Sequence, residues 1–318
     1  MGNRGLSRRD LLLASASGLL LPAVTRAQGA GAAPPKRAFR LAHLTDTHIH
    51  DANAAPQGFG VALDHVHAMP DRPEMIITGG DLIYDCLNAT PEATQRQFDL
   101  FTGVLRDHAT IPVRHCLGNH DIFGWGNREA YGGHAKFGTV WACEELELPK
   151  PYYSFDHKGW HIVVLQSTHP IEGNGYTAKL DDEQFEWFKG DLEATSKETP
   201  VLVVSHIPII MVCAMFDGNL VKDGNWQIPG SYMHVDAGKI KDLFLAHPNV
   251  KLCLSGHEHQ IDRVEFNGVT YYCGGAVSAG WWRGDYYECT YGYSVVDLFE
   301  DGSFGVAYQP FGWKTTPV

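Results

Sequence analysis

The chain has no C-x-x-C pair, and its seven cysteines, being odd in number, cannot all be bridged. That excludes a disulfide-stapled scaffold. Cys116 and Cys253 lie in apolar, strand-like runs and read as buried thiols, while Cys273 and Cys289 form the one candidate bridge, across a late hairpin. Positive charge is scarce as well: 25 Lys and Arg stand against 37 Asp and Glu, for a net charge of −12 over 318 residues. So acidic a body is a poor scaffold for nucleic acid, whose phosphates are held by basic surfaces. Small phosphate esters stay open, because bound cations can supply positive charge locally. The N-terminal apolar run Leu11–Val24 contains Ser and Gly and falls short of the ~20 apolar residues that span a bilayer. No internal repeat and no long low-complexity linker interrupts the chain.

What stands at the N-terminus is a twin arginine, Arg8 and Arg9, followed by that apolar run and then small residues. The stretch resembles a twin-arginine export signal, with cleavage expected after Ala27 or, less simply, Ala30. No cysteine follows the run, which argues against a lipoprotein anchor. The expectations are a signal over 1–27, the twin-arginine export machinery as a partner, a periplasmic or secreted location, and no stable membrane span in the mature protein. Removing Arg4, Arg8, Arg9 and Arg26 against Asp10 makes the remainder more acidic still. A flexible leader, "GAGAAPPKR", is expected within residues 28–38, leaving 39–318 as one domain.

Beyond the leader, apolar strand-like runs alternate with helical patterns. Strands are expected at 39–45, 74–79, 112–117, 160–166, 200–205, 250–255, 269–273, 292–299 and 303–308. Helices are expected at 58–69, 91–107, 127–146, 181–195 and 236–247. Thr90 before Pro91, and Asp181 three residues before Gln184, read as helix starts. Strand followed by helix, repeated, predicts an α/β protein whose sheet closes in antiparallel hairpins. Residues 207–232, rich in Gly, Met and Pro, read as a long irregular stretch, either an active-site loop or a surface connection.

Chemistry begins at "HLTDTHIHD", residues 43–51, where Asp46 and His48 form a D-x-H pair and His48 and His50 an H-x-H pair. On a strand all three project to one side, so spacing does not choose between them. D-x-H suits a two-metal phosphoesterase and H-x-H an amidohydrolase barrel. The later clusters each follow an apolar run: "MIITGGD" ends in Asp81, "VRHCLGNHD" supplies Asn119, His120 and Asp121, "VLVVSH" ends in His206, and "KLCLSGHEH" supplies His257 and His259. Five strands thus deliver metal donors at their C-terminal ends, where open α/β sheets build sites.

This ordered series of D-x-H, G-D, G-N-H-D, a lone His and G-H-x-H resembles the calcineurin-like metallophosphoesterases, over residues 46–259. The resemblance implies a four-layer α/β/β/α sandwich of two mixed sheets flanked by helices, with 39–318 as the catalytic domain. It implies two divalent or trivalent metal ions, of iron, manganese, zinc or cobalt type. One would be held by Asp46, His48, Asp81 and His259, the other by Asp81, Asn119, His206 and His257, with Asp81 bridging. A metal-bound hydroxide would be the nucleophile. His120 would protonate the leaving alkoxide or contact the phosphate together with Asn119, and Asp121 would either orient its ring or cap a turn. Glycines 80, 118 and 256 would let the backbone turn sharply before the donors.

The D-x-H first motif resembles the cyclic-nucleotide and glycerophosphodiester branch and favours phosphodiesters over monoesters as the small phosphate-ester substrate. "GDLIY" also resembles purple acid phosphatases through Tyr84, a monoesterase alternative, although those carry D-x-G where His48 stands here. His50 is the spare donor. A catalytically silent module that binds a partner through the same fold is the remaining alternative. Trp281, Trp282 and Arg283, in the aromatic segment "GGAVSAGWWRGDYYECTYGY", are candidate substrate contacts, as a wall over the metals. They would equally suit the cover of a sheet edge. The segment after His206, with His169 and Asn174, is a second candidate for the mouth.

Overall fold

Most of the expected runs form strands buried on both faces, as Met75–Gly79, Trp160–Leu165, Val201–Ser205, Val250–Ser255 and Val269–Gly274 do; Val113–Cys116 and Phe304–Pro310 are partly exposed. The computed structural model describes residues 35–314. The signal expected at 1–27 lies outside the described residues, as does most of the leader, whose last residues Arg37 and Ala38 already belong to the first strand. In chain order the first half comprises β1 (Arg37–Leu44), α1 (Ala55–Ala68), β2 (Met75–Gly79), α2 (Pro91–His108), β3 (Val113–Cys116), α3 (Arg128–Tyr131), α4 (Val140–Glu145), β4 (Tyr153–His157) and β5 (Trp160–Leu165). The second half comprises β6 (Thr168–Pro170), β7 (Tyr176–Ala178), α5 (Asp182–Ala194), β8 (Val201–Ser205), β9 (Val221–Lys222), β10 (Asn225–Trp226), α6 (Ala237–Ala246), β11 (Val250–Ser255), β12 (Ile261–Phe266), β13 (Val269–Gly274), β14 (Gly292–Phe299) and β15 (Phe304–Pro310).

Two mixed sheets carry the fold, in the orders β15-β14-β1-β2-β3 and β12-β13-β11-β8-β5-β4. Strands β1, β2 and β3 run parallel, as do β5, β8, β11 and β13. The closing strands β14 and β15 are antiparallel additions to the first sheet.

Alternation along each strand sorts the apolar side chains into three cores. Phe39, Leu41, Ile77, Leu202, Val204, Leu252 and Leu254 meet between the sheets. Ala42, Leu44 and Ile76 face the helices of the first half, where Phe59 of α1 and Phe98 and Phe101 of α2 pack. Val203 and Cys253 face Phe188 of α5 and Phe244 of α6. The result is the expected helix, sheet, sheet, helix layering. Strands buried on both faces read as near-continuous apolar runs, which is why β2, β5, β8, β11 and β13 stand out in the sequence.

Helix starts follow side-chain chemistry: Thr90 accepts from Ala93 N, and Asp181 accepts from Gln184 N at 2.7 Å. The single helix expected at 127–146 is instead two short ones, α3 and α4, because Gly132 and Gly133 end the first and Gly138 takes φ +76 before the second. The Cys273–Cys289 bridge does not form: all seven cysteines are free. Cys273 sits over Gly256 O and Cys289 over the Tyr308 hydroxyl. Among the described residues no helix is long and apolar enough to cross a membrane.

Candidate metal centre

The C-terminal ends of β1, β2, β3, β8 and β11 lie along one edge of the paired sheets, and the loops leaving them are tied to one another. Asp46 N donates to Gly80 O and His48 N to Asp81 O, each at 3.0 Å, so the first two loops run side by side. His120 N donates to Asp81 Oδ1 at 2.8 Å, which joins the third loop to the second. His257 N donates to both Asp46 oxygens, at 3.0 and 3.1 Å, which brings in the fifth.

The loops hold unusual backbone. Asp46, His48, Asp81, His257 and His259 all take positive φ, between 42° and 75°. Such conformations cost of order 1–3 kcal/mol per non-glycine residue and persist where surrounding structure enforces them. Of the three glycines expected to turn the chain, only Gly80 has positive φ. Gly118 and Gly256 are required for space: a Cβ would lie 2.2 Å from Asp81 Oδ1 and 2.1 Å from Asp46 Oδ2, respectively.

Seven donors converge. Asp46, His48 and His259 place ligand atoms within 4.8 Å of one another, as do Asp81, His206 and His257. Asp81 joins the two groups, with Oδ2 3.7 Å from His48 Nε2 and Oδ1 3.2 Å from His206 Nε2. Asn119 Oδ1 lies 3.2 Å from His206 Nε2. His48 Nε2 and His259 Nε2 face each other at 3.0 Å, both buried. Two imidazole nitrogens aimed at one buried point fit a shared cation, and the mixed carboxylate, imidazole and amide donors fit a two-metal site. Backbone carbonyls select the inward nitrogens: His206 Nδ1 donates to Gly79 O and His259 Nδ1 to Ala279 O, leaving each Nε2 for the centre.

Protein groups alone set opposed titrations here. Burial disfavours charge on His206, yet the Asp81 carboxylate outweighs it and pushes the ring up to about 9. Burial raises Asp46, but the His259 ring beside it prevails and holds the carboxyl down to about 2. Burial, then His206, lowers His257 to about 4. Burial and the Asp81 charge raise Asp121 to about 7.

Other residues singled out in the sequence fall in varied places. The His120 ring stands 4.9 Å from that of His48 and groups with His48 and Asp81. Asp121 does not hold that ring: its carboxylate accepts from the N–H of Gly118, Leu82 and Ile83, so it caps the turn and pins two donor loops. His50 stacks on Tyr84 at 4.5 Å, outside the donor groups, and Tyr84 meets the His48 ring edge-on at 6.5 Å.

Trp281 and Trp282 take successive positive φ, which turns adjacent rings apart. Trp281 stacks on His259 at 4.3 Å and lines the pocket. Trp282 is 1% exposed, sits against Gly58 of α1 and donates Nε1 to Thr47 O, so it braces the first donor loop instead of touching solvent. Arg283 is exposed and outside the pocket lining. His169 pairs with Thr177 in the β6–β7 hairpin, and Asn174 accepts from Arg128 N, so neither lines the pocket.

Five of the seven donors, His48, Asp81, Asn119, His257 and His259, floor a pocket of about 140 Å³. The irregular stretch 207–232 borders it through Asp217 and its last residue, Tyr232. Tyr176, Tyr286 and Glu258 also line it and were not singled out in the sequence. Glu258 lies between two donor histidines, a position that carried the only available signal. Burial and the neighbouring Asp217 raise its carboxyl to about 8.

A sequence model described as calcineurin-like phosphoesterase matches residues 39–261. A probable cyclic nucleotide phosphodiesterase of Synechococcus sp. is 25% identical over 269 residues, covering 83% of this chain and 89% of that protein. A 3',5'-cyclic adenosine monophosphate phosphodiesterase of Escherichia coli K12 is 21% identical, covering 72% of each. Purple acid phosphatase 21 of Arabidopsis thaliana is 29% identical over a shorter stretch, 42% of this chain and 29% of that protein. A dimetal phosphatase from Danio rerio shares the fold with a TM-score of 0.60 at 13% identity, covering 87% of this chain and 97% of that one. The match across both sheets, together with donors grouped around Asp81, places the chain in the calcineurin-like phosphoesterase family, as a metal-dependent hydrolase of phosphate esters.

Proposed function

We propose that this protein hydrolyses phosphodiesters in preference to monoesters, with Asp46, His48, Asp81 and His259 holding one metal ion and Asp81, Asn119, His206 and His257 the other. The observation that carries the preference is the charge of the pocket: among the described residues no Lys or Arg lines it, while the acidic Asp217 does. A monoester dianion brings a second negative charge toward that carboxylate; a diester brings a neutral ester group. When bound, the two cations supply Lewis acidity toward the phosphoryl group and acidify water at neutral pH. The Asp81 carboxylate offsets their mutual repulsion. Asn119, being neutral, adds an oxygen donor without further negative charge. The His120 imidazole delivers a proton to the departing ester oxygen, and the turn capped by Asp121 sets where that ring stands.

The test is hydrolysis of bis(p-nitrophenyl) phosphate and p-nitrophenyl phosphate after reconstitution with iron, manganese, zinc and cobalt in turn, with metal content measured. A kcat/KM at least about tenfold higher for the diester, equivalent to ~1.4 kcal/mol, is expected with the best metal. Preference for the monoester would overturn the reading.

Export by the twin-arginine route is a separate proposal, supported by Arg8, Arg9 and the Leu11–Val24 run. Replacing both arginines with lysine is expected to leave the full-length precursor in the cytoplasm of an expressing bacterium. Continued appearance of processed protein in the periplasmic fraction would count against it.

A further inference from the structure

Past the metal donors, the pocket wall consists of aromatic rings and carboxylates. Tyr176, Tyr232, Trp281 and Tyr286 line it with Asp217 and Glu258. The Trp281 and Tyr286 rings meet at 5.3 Å between centroids and 90° between planes, forming two perpendicular walls. Trp281 also stacks on His259, so one wall begins at the donors themselves. The hydroxyls of Tyr286 and Tyr287 donate to Asp217 Oδ1 at 3.2 and 3.1 Å, which fixes this carboxylate at the rim. Glu258 is 6% exposed, and no described residue hydrogen-bonds its carboxylate; His257 Nε2 stands 3.7 Å away.

A carboxylate beside an anion-binding site weakens binding unless the ligand carries positive charge of its own. Here Asp217 is such a carboxylate, held by tyrosine hydroxyls at the rim, and Arg283, the cation nearest in sequence to the aromatic wall, is outside the lining. Aromatic faces arranged at right angles with acids between them are the chemistry that recognises ammonium groups, alkylated ones above all. A nucleobase would use the same rings but would leave the Asp217 carboxylate without a positive partner.

We propose that the substrate is a phosphodiester in which one ester alcohol carries an alkylated ammonium group, seated among Tyr232, Trp281, Tyr286 and the Asp217 carboxylate. The inference rests on the two-metal diesterase reading and narrows its substrate class. The phosphate is addressed by the metals, the ammonium by the rings and acids, and the two charges of the substrate are met at separate ends of one pocket.

The experiment compares p-nitrophenyl phosphorylcholine with p-nitrophenyl 3,3-dimethylbutyl phosphate, which has the same shape and no cation, on the metal-loaded enzyme. A ratio of kcat/KM of roughly tenfold or more in favour of the choline ester is expected. Asp217→Asn should bring the ratio toward one, each variant serving as its own control because both substrates meet the same metals. Choline should also inhibit bis(p-nitrophenyl) phosphate hydrolysis competitively, and 3,3-dimethylbutan-1-ol should not. A ratio near one in the unaltered enzyme, or one that survives both Asp217→Asn and Glu258→Gln, overturns the inference while leaving the diesterase reading intact. If no diester is cleaved, that reading fails, and calorimetry with choline on the metal-loaded protein still decides whether the cage exists.

Discussion

Asp81→Asn is expected to abolish metal occupancy and to cripple phosphoester hydrolysis. The expected loss of kcat/KM is on the order of a thousandfold or more, because Lewis-acid stabilisation of several kcal/mol is removed and each ~1.4 kcal/mol is a factor of ten. Asp81 is the one residue whose two oxygens face both donor groups, His48 on one side and His206 on the other. An asparagine keeps the size of the side chain but removes the charge that offsets cation repulsion and replaces one acceptor with a donor. Elemental analysis of the purified variant, beside an assay, reads the effect. Full activity with a normal metal complement would remove Asp81 from the centre. His48→Ala is expected to share the metal loss and His50→Ala to escape it, since His50 stacks on Tyr84 outside the donor groups.

His120→Ala is expected to lower kcat by about 10²- to 10⁴-fold, the usual range for a lost general acid, with metal content unchanged. The decisive comparison is between leaving groups. An alkyl alcohol needs protonation as it departs, whereas p-nitrophenolate leaves readily without it, so the defect should be far larger on an alkyl diester. His120 also stands close enough to His48 and Asp81 to serve as a donor. That alternative predicts a lowered metal content and an equal defect on both substrates, so the same two measurements separate the roles.

Much of the site is legible in the linear chain because the donors are local to strand ends. An apolar run buried on both faces announces a strand, and the polar cluster after it announces where the strand stops. Asp46, His48, Asp81, Asn119, His206, His257 and His259 all stand at such strand ends, and the resemblance to calcineurin-like phosphoesterases chose them over His50, His120 and Asp121. The aromatic segment misled for an equally local reason. Trp281 and Trp282 are neighbours in sequence, but successive positive φ angles send one to the pocket and the other beneath α1. Asp121 was ambiguous between ring partner and cap, and three backbone N–H groups from two loops decided for the cap. The helix expected at 127–146 failed at its glycines, where hydrophobic spacing continues across a break in backbone conformation.

By itself, the sequence determined the alternation of strands and helices, the α/β class and the donor series, since each depends on residues within one strand and the turn that follows it. Only the tertiary structure decided what surrounds those donors. Tyr176, Asp217, Tyr232 and Tyr286 come from segments separated by up to about a hundred residues and share no spacing that marks them. They meet because two sheets pack face to face and align the loops at one edge. A pocket wall assembled across such distances has no period in the chain. Its charge, acidic and with no lysine or arginine among the described residues, emerges only when those loops are brought together.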